Sequence, residues 1–416
     1  MDSSVLLHLV FSHREKIGKS FGVIYVDHGI QRQSDEWGDF CRSQCDYYGL
    51  SFTQININEK VPKCSSVEAW ARKKRYELIA QVMNKGDLLF TAHHQDDQVE
   101  TFFLQALRGA GPRGLSSMPI YKDIANATHV RPLLNYCRSE LKLYAEENRL
   151  SWQVDPSNMD TKFDRNYLRH SVIPVFEKRW SSYRKTILRS LEHQQECASL
   201  MREIGLEDFK NVSHKKQLSL NLLRNFSVTR QKNIIFIWLQ KLELESPNSK
   251  HINQIISDLI NSKSDNENCV NWKNIEVRKY KKLLYAFRRK HKNIDSINLK
   301  WEIPSPLKIM NETLIVKTEI GCGLSKKNIE NKNISVQYRV GGEKLRLNNF
   351  SKSKTVKQLF QERGVLPWER DRFPMIYVNG MLVAIPGMCT DIGYLAADDE
   401  PSWKIVWSGY EKAVES

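Results

Sequence analysis

The first 175 residues switch hydrophobic period again and again, and this alternation restricts the fold more than any other feature of the chain. "FGVIYVD" (21–27), "LSFTQINI" (50–57) and "DLLFTAH" (87–93) are short apolar runs suited to parallel strands buried on both faces. Helical stretches at 34–48 and 65–84 separate them, and another follows at 96–107. Strand, helix, strand, helix predicts an α/β fold with a doubly wound, mostly parallel sheet. In such sheets ligands sit at the carboxyl ends of strands, where helix N-termini point. Val5, Leu6, Leu9 and Val10 fall at helical spacing behind Asp2 and Ser3, which are placed as caps. By the same alternation this helix, 3–17, is the crossover after a first strand that the sequence lacks.

The character changes near residue 176. "EKRWSSYRKTILRSLEHQQECASLMREI" (177–204), 223–242 and 251–260 read as a mostly helical domain over 176–325. "SKKNIENKN" (325–333) is polar and basic and reads as a linker. Beyond it, "SVQYRV", "FPMIYVN", "MLVAIP" and "SWKIVW" read as short strands around one helix near 354–363, a small α+β domain over 334–412.

Sixty-three Lys and Arg against 48 Asp and Glu give a net charge of +15. That balance favours a polyanionic partner, since neutralising phosphates releases counterions. The eight cysteines form no CxxC pair, which argues for reduced thiols in a cytoplasm over a disulfide framework. Cys41 and Cys45 share a helix face, but two thiols are an incomplete metal site. No stretch approaches the roughly 18 apolar residues of a membrane helix.

Chemistry concentrates in "TAHHQDDQVETFFLQALRGAGPRGLSSM" (91–118), which leaves a strand and enters a helix. Asp96 and Asp97 in a first turn suit the helix dipole, which explains them without any site. The dipole does not explain two adjacent histidines at the strand's end, nor Glu100 one turn on. Carboxylates there can bind magnesium or receive an amine, and Gly109, Gly111 and Gly114 let backbone approach a ligand closely. In "SVEAWARKKRYEL" (66–78), Glu68 lies on the same helix as Arg72, Arg75 and Tyr76, which share one face. That face is either a solvated basic surface or a fork for phosphate oxygens. "VDPSNMDTKFDRNYLRHSVIP" (154–174) opens on a capped turn and then gathers Arg165, Asn166, Arg169 and His170, suited to phosphate-backbone contacts. "VRKYKKLLYAFRRKHK" (277–292) interleaves Tyr280, Tyr285 and Phe287 with basic residues. It reads as a surface for a polyanionic partner or as a solvated, charged strand pair.

Together "TAHHQDDQVETFFLQALRGAGPRGLSSM", "DPSN…DRNYLRHSVIP" and "VDHGIQRQSDEW" (26–37) resemble the tRNA(Ile)-lysidine synthetases of the N-type ATP pyrophosphatase (PP-loop) group. "VGGEKLRL" with "TVKQLFQERGVLPWERDRFPMIYV" resembles that family's C-terminal module, and 218–287 its substrate-binding module. The resemblance implies ATP-dependent ligation of free L-lysine to C2 of the cytidine at the first anticodon position of tRNA(Ile) with a CAU anticodon. The reaction runs through an adenylated intermediate and releases AMP and pyrophosphate. It also implies ATP and Mg2+ as cofactors, no membrane partner, and leaves room for a homodimer.

By position the resemblance makes Asp2 and Asp97 the metal-associated carboxylates, and Asp2, Arg75, His93 and Asp97 the catalytic set. Asp2, Ser3, Val26, Arg75 and His93 would contact ATP, and Asp97 and Glu100 the lysine. Arg108, Arg113, Arg165, Arg169, Arg288 and Arg289 would meet tRNA. Three departures stand out: Gln31 replaces a frequent arginine, "VKQ" (356–358) replaces "LKK", and of the Ser-Gly-Gly-x-Asp-Ser loop only Asp2 and Ser3 follow Met1. The third carries an expectation that Met1 is internal to a longer reading frame. The chain as written is then expected to bind tRNA but adenylate poorly. Competing readings are another PP-loop tRNA-modifying enzyme, or a non-catalytic tRNA-binding remnant.

Overall fold

The computed structural model describes all residues except 19, 30–32, 58, 60, 63–66, 263–267, 290–296, 348–352 and 411–416. Gln31, Lys290 and the side chain of Glu68 therefore lie outside the described residues. The chain divides into two compact units, Met1–Glu207 and Asp208–Ser416.

The first unit is α/β. Helix α1 (Asp2–Ser12) leads to strand β1 (Gly22–Asp27), helix α2 (Ser34–Tyr48) and strand β2 (Ser51–Asn56). The two strands pair in parallel, Gly22 opposite Ser51 and Asp27 opposite Asn56. Parallel pairing needs a crossover, which α2 supplies. It stops at Gly49, whose φ of +65° is the left-handed cap that glycine adopts at no steric cost. Helix α3 (Val67–Val82) precedes strand β3 (Leu88–Phe90) and helix α4 (Gln95–Leu107) follows it. β3 lies parallel to Ala127–Val130, which forms an antiparallel hairpin with Tyr121–Ile124. The strands of this unit thus form two sheets, one of two strands and one of three, among the described residues.

Expected helix 3–17 breaks at His13 and resumes as Arg14–Ile17. Its apolar stripe works as predicted: Val5 and Leu6 are buried against Leu133, Leu141 and Ala145, with Phe90 and Ala92 packed alongside. That contact fixes the start of α1 next to the end of β3. The stretch 177–204 is also split: Ile173–Arg179 ends at Trp180, whose φ −131° and ψ 86° are not helical, and Tyr183–Val212 begins anew.

In the second unit, helix Val228–Lys241 buries Ile234, Ile235, Trp238 and Leu239. Ile255, Leu259 and Ile260 pack on the same core. This helical region also carries a five-stranded antiparallel sheet, which includes the hairpin Ile275–Tyr280 with Leu283–Arg288. The C-terminal strands fall where expected, at Ile334–Gln337, Met375–Val378, Met381–Ile385 and Pro401–Trp407, with helix Val356–Glu362. Their core also takes in Trp301, Ile309 and Leu314. The run 325–333 is folded where an open linker was expected: Ser325 caps a turn of helix and Ile329 is buried.

Candidate active site

After Phe90 the chain leaves regular structure at Thr91, Ala92 and His93 and reaches His94, which is extended (φ −128°, ψ −178°), before α4 begins. His94 is the N-cap of α4; its backbone N–H donates to Asp97 Oδ2 at 3.0 Å. Its ring is 2% exposed and stands among carboxylates. Nε2 is 3.5 Å from Asp97 Oδ2 and 3.9 Å from Asp2 Oδ2, and Nδ1 is 3.5 Å from Asp96 Oδ2. Burial opposes a charge on His94, but Asp96, Asp97 and Asp2 outweigh it and raise its pKa. Burial likewise pushes Asp97 up, yet His94 and Arg165 hold it below the usual carboxylate range.

Asp96 is spoken for. It accepts from the Arg138 backbone N–H at 2.8 Å and from Arg184 Nε and Nη2 at 3.0 and 2.8 Å. Although burial raises its pKa, His94, Arg138 and Arg184 together lower it. Arg184 comes from the long helix 88 residues downstream, so no local pattern could have announced it.

Glu100 is 1% exposed. Arg165 Nε donates to its Oε2 at 2.6 Å, Arg169 Nε to Oε1 at 2.6 Å, and Arg169 Nη2 to Oε2 at 3.1 Å. The same arginines reach Asp97 Oδ1 at 3.3 and 3.6 Å. Both oxygens of Glu100, expected to receive lysine, hold guanidinium here, and Arg165 and Arg169, expected to meet tRNA, are turned to carboxylates. The neighbours Asn166 and His170 also serve the fold. Asn166 Nδ2 donates to the carbonyls of Ser157 and Asp160, and His170 Nε2 lies 2.9 Å from the Asn158 carbonyl, closing the turn at 155–160.

His93 points to the other side, where its Nδ1 meets Thr91 Oγ1 at 2.7 Å. Burial, with Arg131 and Arg72 adding, lowers its pKa to about 3; burial and the same two arginines bring buried His129 to about 4. Arg75 shares no hydrogen bond with His93: its Nη2 lies 2.8 Å from Nε2 of His28, just past the end of β1. Val26 lies one residue before that end, paired with Ile55, and Ser3 is exposed in the first turn of α1. Gln98 secures the glycine loop: it donates to the Met118 carbonyl at 2.7 Å and accepts from Ser117 Oγ at 2.6 Å and the Met118 N–H at 2.9 Å. Arg108 is exposed at the end of α4. Arg113 follows in the short helix Pro112–Leu115, its pKa lowered by burial and by Arg202.

A stability prediction arises from the two neutral histidines. Unfolded, each protonates near 6.5; folded, they stay neutral to about 3 and about 4. The unfolded chain therefore binds more protons throughout this window, so stability falls as pH drops from about 6.5 towards 4. Thermal unfolding of the intact chain between pH 7 and 4 should show that slope, and His129→Gln should flatten it.

Asp2 and Asp97 converge on His94, and Asp2 Oδ1 is buried without a hydrogen-bond partner. That orphaned oxygen fits a hard cation. No group of three or more metal-ligating side chains assembles among the described residues. Two carboxylates suit magnesium, which keeps water and phosphate oxygens as its remaining ligands.

A PP-loop domain model matches residues 1–176, a TilS substrate binding domain 218–285 and a TilS substrate C-terminal domain 334–407. The tRNA(Ile)-lysidine synthase of Coxiella burnetii is 31% identical over 97% of this chain and 90% of its own length. That of Nitrosomonas europaea is 31% identical over 98% and 90%, and that of Pectobacterium atrosepticum 30% over 98% and 92%. Relatedness of that extent, spanning both units, leaves one assignment: the chain belongs to the tRNA(Ile)-lysidine synthase family.

Proposed function

We propose that this protein is an ATP-dependent ligase that attaches lysine to C2 of the cytidine at the first anticodon position of tRNA(Ile) carrying CAU. The observation that carries the reading is the near-complete match to three relatives named tRNA(Ile)-lysidine synthase. The cytidine C2 oxygen attacks the α-phosphorus of ATP and pyrophosphate leaves. The lysine amine then attacks C2 and AMP leaves with that oxygen.

Each residue's share follows from its surroundings. His93, neutral, offers a hydrogen bond to an α-phosphate oxygen, and Arg75 a charge, both stabilising the negative charge that builds as pyrophosphate departs. Asp97, held below the usual carboxylate range and more loosely paired with Arg165 and Arg169 (3.3 and 3.6 Å) than Glu100 is (2.6 Å each), would receive the lysine ammonium. Asp2 and Asp97 would hold magnesium, which supplies neutralisation of the phosphates when bound. Arg108 and Arg113 flank the loop that would border the extruded base. The reading is tested by ATP–pyrophosphate exchange with the intact chain: exchange should require the CAU tRNA. Exchange equally fast without tRNA would favour a different PP-loop chemistry.

The second unit would bind the tRNA body. A cavity of about 580 Å³ is lined by Leu220, Asn221, Arg224, Asn261, Ser262, Lys279 and Lys282, three cations and no acid among these residues. Arg288 and Arg289 are exposed but already tethered, Arg288 to the Glu243 carbonyl at 3.0 Å and Arg289 to Glu276 at 3.2 Å. Neutralising both together should weaken tRNA binding and lower the slope of log affinity against log salt by up to about one unit for each phosphate that loses its cation. An unchanged slope would remove them from the interface.

A further inference from the structure

We infer that Arg131, His129 and Thr91 form a one-way hydrogen-bond relay that fixes the proton of His93 on Nε2, making it a standing N–H donor towards the reacting phosphate. The identity of that phosphate rests on the proposed function; the relay itself rests on geometry alone.

The direction is set at the buried end. Arg131 is 4% exposed and His129 1%. A guanidinium has only N–H groups and cannot accept. Arg131 Nη1 donates to the Pro119 carbonyl at 2.7 Å, which anchors the side chain, and Nη2 lies 3.0 Å from His129 Nδ1. His129 Nδ1 must therefore be the bare, accepting nitrogen, and the proton of this neutral ring sits on Nε2. That nitrogen is 2.7 Å from Thr91 Oγ1, so it donates to the hydroxyl. The hydroxyl has one proton of its own, and His93 Nδ1 stands 2.7 Å away to accept it. His93 Nδ1 is then bare in turn, and its proton is on Nε2. The ring of Tyr76, tilted by 44° with its centre 5.4 Å from that of His129, packs beside the relay.

The links from Arg131 to Thr91 are forced, because reversal would aim an N–H of His129 at the N–H of Arg131; the last link follows from the Thr91 hydroxyl's own proton, for which His93 Nδ1 is the acceptor in place. Burial and the charges of Arg131 and Arg72 also keep both imidazoles neutral at pH 7, so the relay runs without a competing charged form. The consequence is specific. A histidine free to exchange tautomers would present a bare nitrogen to a phosphate oxygen part of the time, whereas this one presents N–H at every encounter. Thr91, His129 and Arg131 are thus positioning residues that act through His93.

The test is a long-range ¹H–¹⁵N spectrum of the intact chain at pH 7, with ATP affinity by calorimetry alongside it. The wild type should show His93 as a single Nε2–H tautomer. Thr91→Ser, which keeps the hydroxyl, should retain the tautomer and the affinity. Thr91→Val, equal in shape, should give a tautomer mixture and about tenfold weaker ATP binding. A wild-type Nδ1–H tautomer, or a Thr91→Val spectrum unchanged at His93, would overturn the relay even if the valine variant lost affinity. A pure Nε2–H tautomer in a protein that binds no ATP would uphold the relay and overturn the proposed function, so the two failures are separable. If Thr91→Val failed to fold, the wild-type and Thr91→Ser tautomers would still decide the matter.

Discussion

Asp97→Asn is expected to reduce ATP-dependent activation of the tRNA by about 100-fold or more while leaving tRNA affinity within about threefold, because it removes charge at the reacting centre and no RNA contact. The substitution is conservative for the fold: an asparagine oxygen can still accept the His94 backbone N–H that Asp97 now holds at 3.0 Å. Exchange kinetics read the first effect and filter binding the second. Parallel loss of both would mean that Asp97 serves structure, through Arg165 and Arg169, more than chemistry.

Glu100→Gln should act on stability. Glu100 is buried and holds Arg165 and Arg169 through three hydrogen bonds. Removing one member of a buried ion cluster leaves charge uncompensated and costs about 3 kcal/mol. In a unit of this size that corresponds to a fall of about 6–12 °C in melting temperature. The sequence alone suggested another outcome, a selective defect in lysine use. Unaltered melting together with a raised lysine KM would restore that amine-receiving role to Glu100.

The contrast shows where sequence reasoning reaches and where it stops. Periodicity located α2, α4, β1 and β2 to within a residue or two, because each element answers to its own local pattern. The hairpin Tyr121–Val130 escaped notice because "YKDIANATHV" is too polar at its tip to look like two strands; it turns at Ala125, which takes φ +47°. The site divides in the same way. "HHQDD" announces clustered titratable groups, but not that His94 turns inward to Asp2 and Asp97 while His93 turns to Thr91. Helical spacing correctly puts Glu100 beside Asp97. What it faces is decided by Arg165 and Arg169, 65 and 69 residues away, a distance at which no periodicity informs. Arg131 and His129 lie in the unpredicted hairpin and just past its end, so the relay behind His93 was illegible for the same reason.

The most direct test of lysidine formation is mass spectrometry of the tRNA after incubation with the intact chain, ATP and isotopically labelled lysine, with enzyme in excess so that slow turnover suffices. Labelled lysine is expected on the cytidine at the first anticodon position of tRNA(Ile) with CAU, dependent on ATP, and none on an isoleucine tRNA with GAU. Labelled lysine on neither tRNA, despite measurable binding of ATP and of the CAU tRNA, would contradict the proposed function.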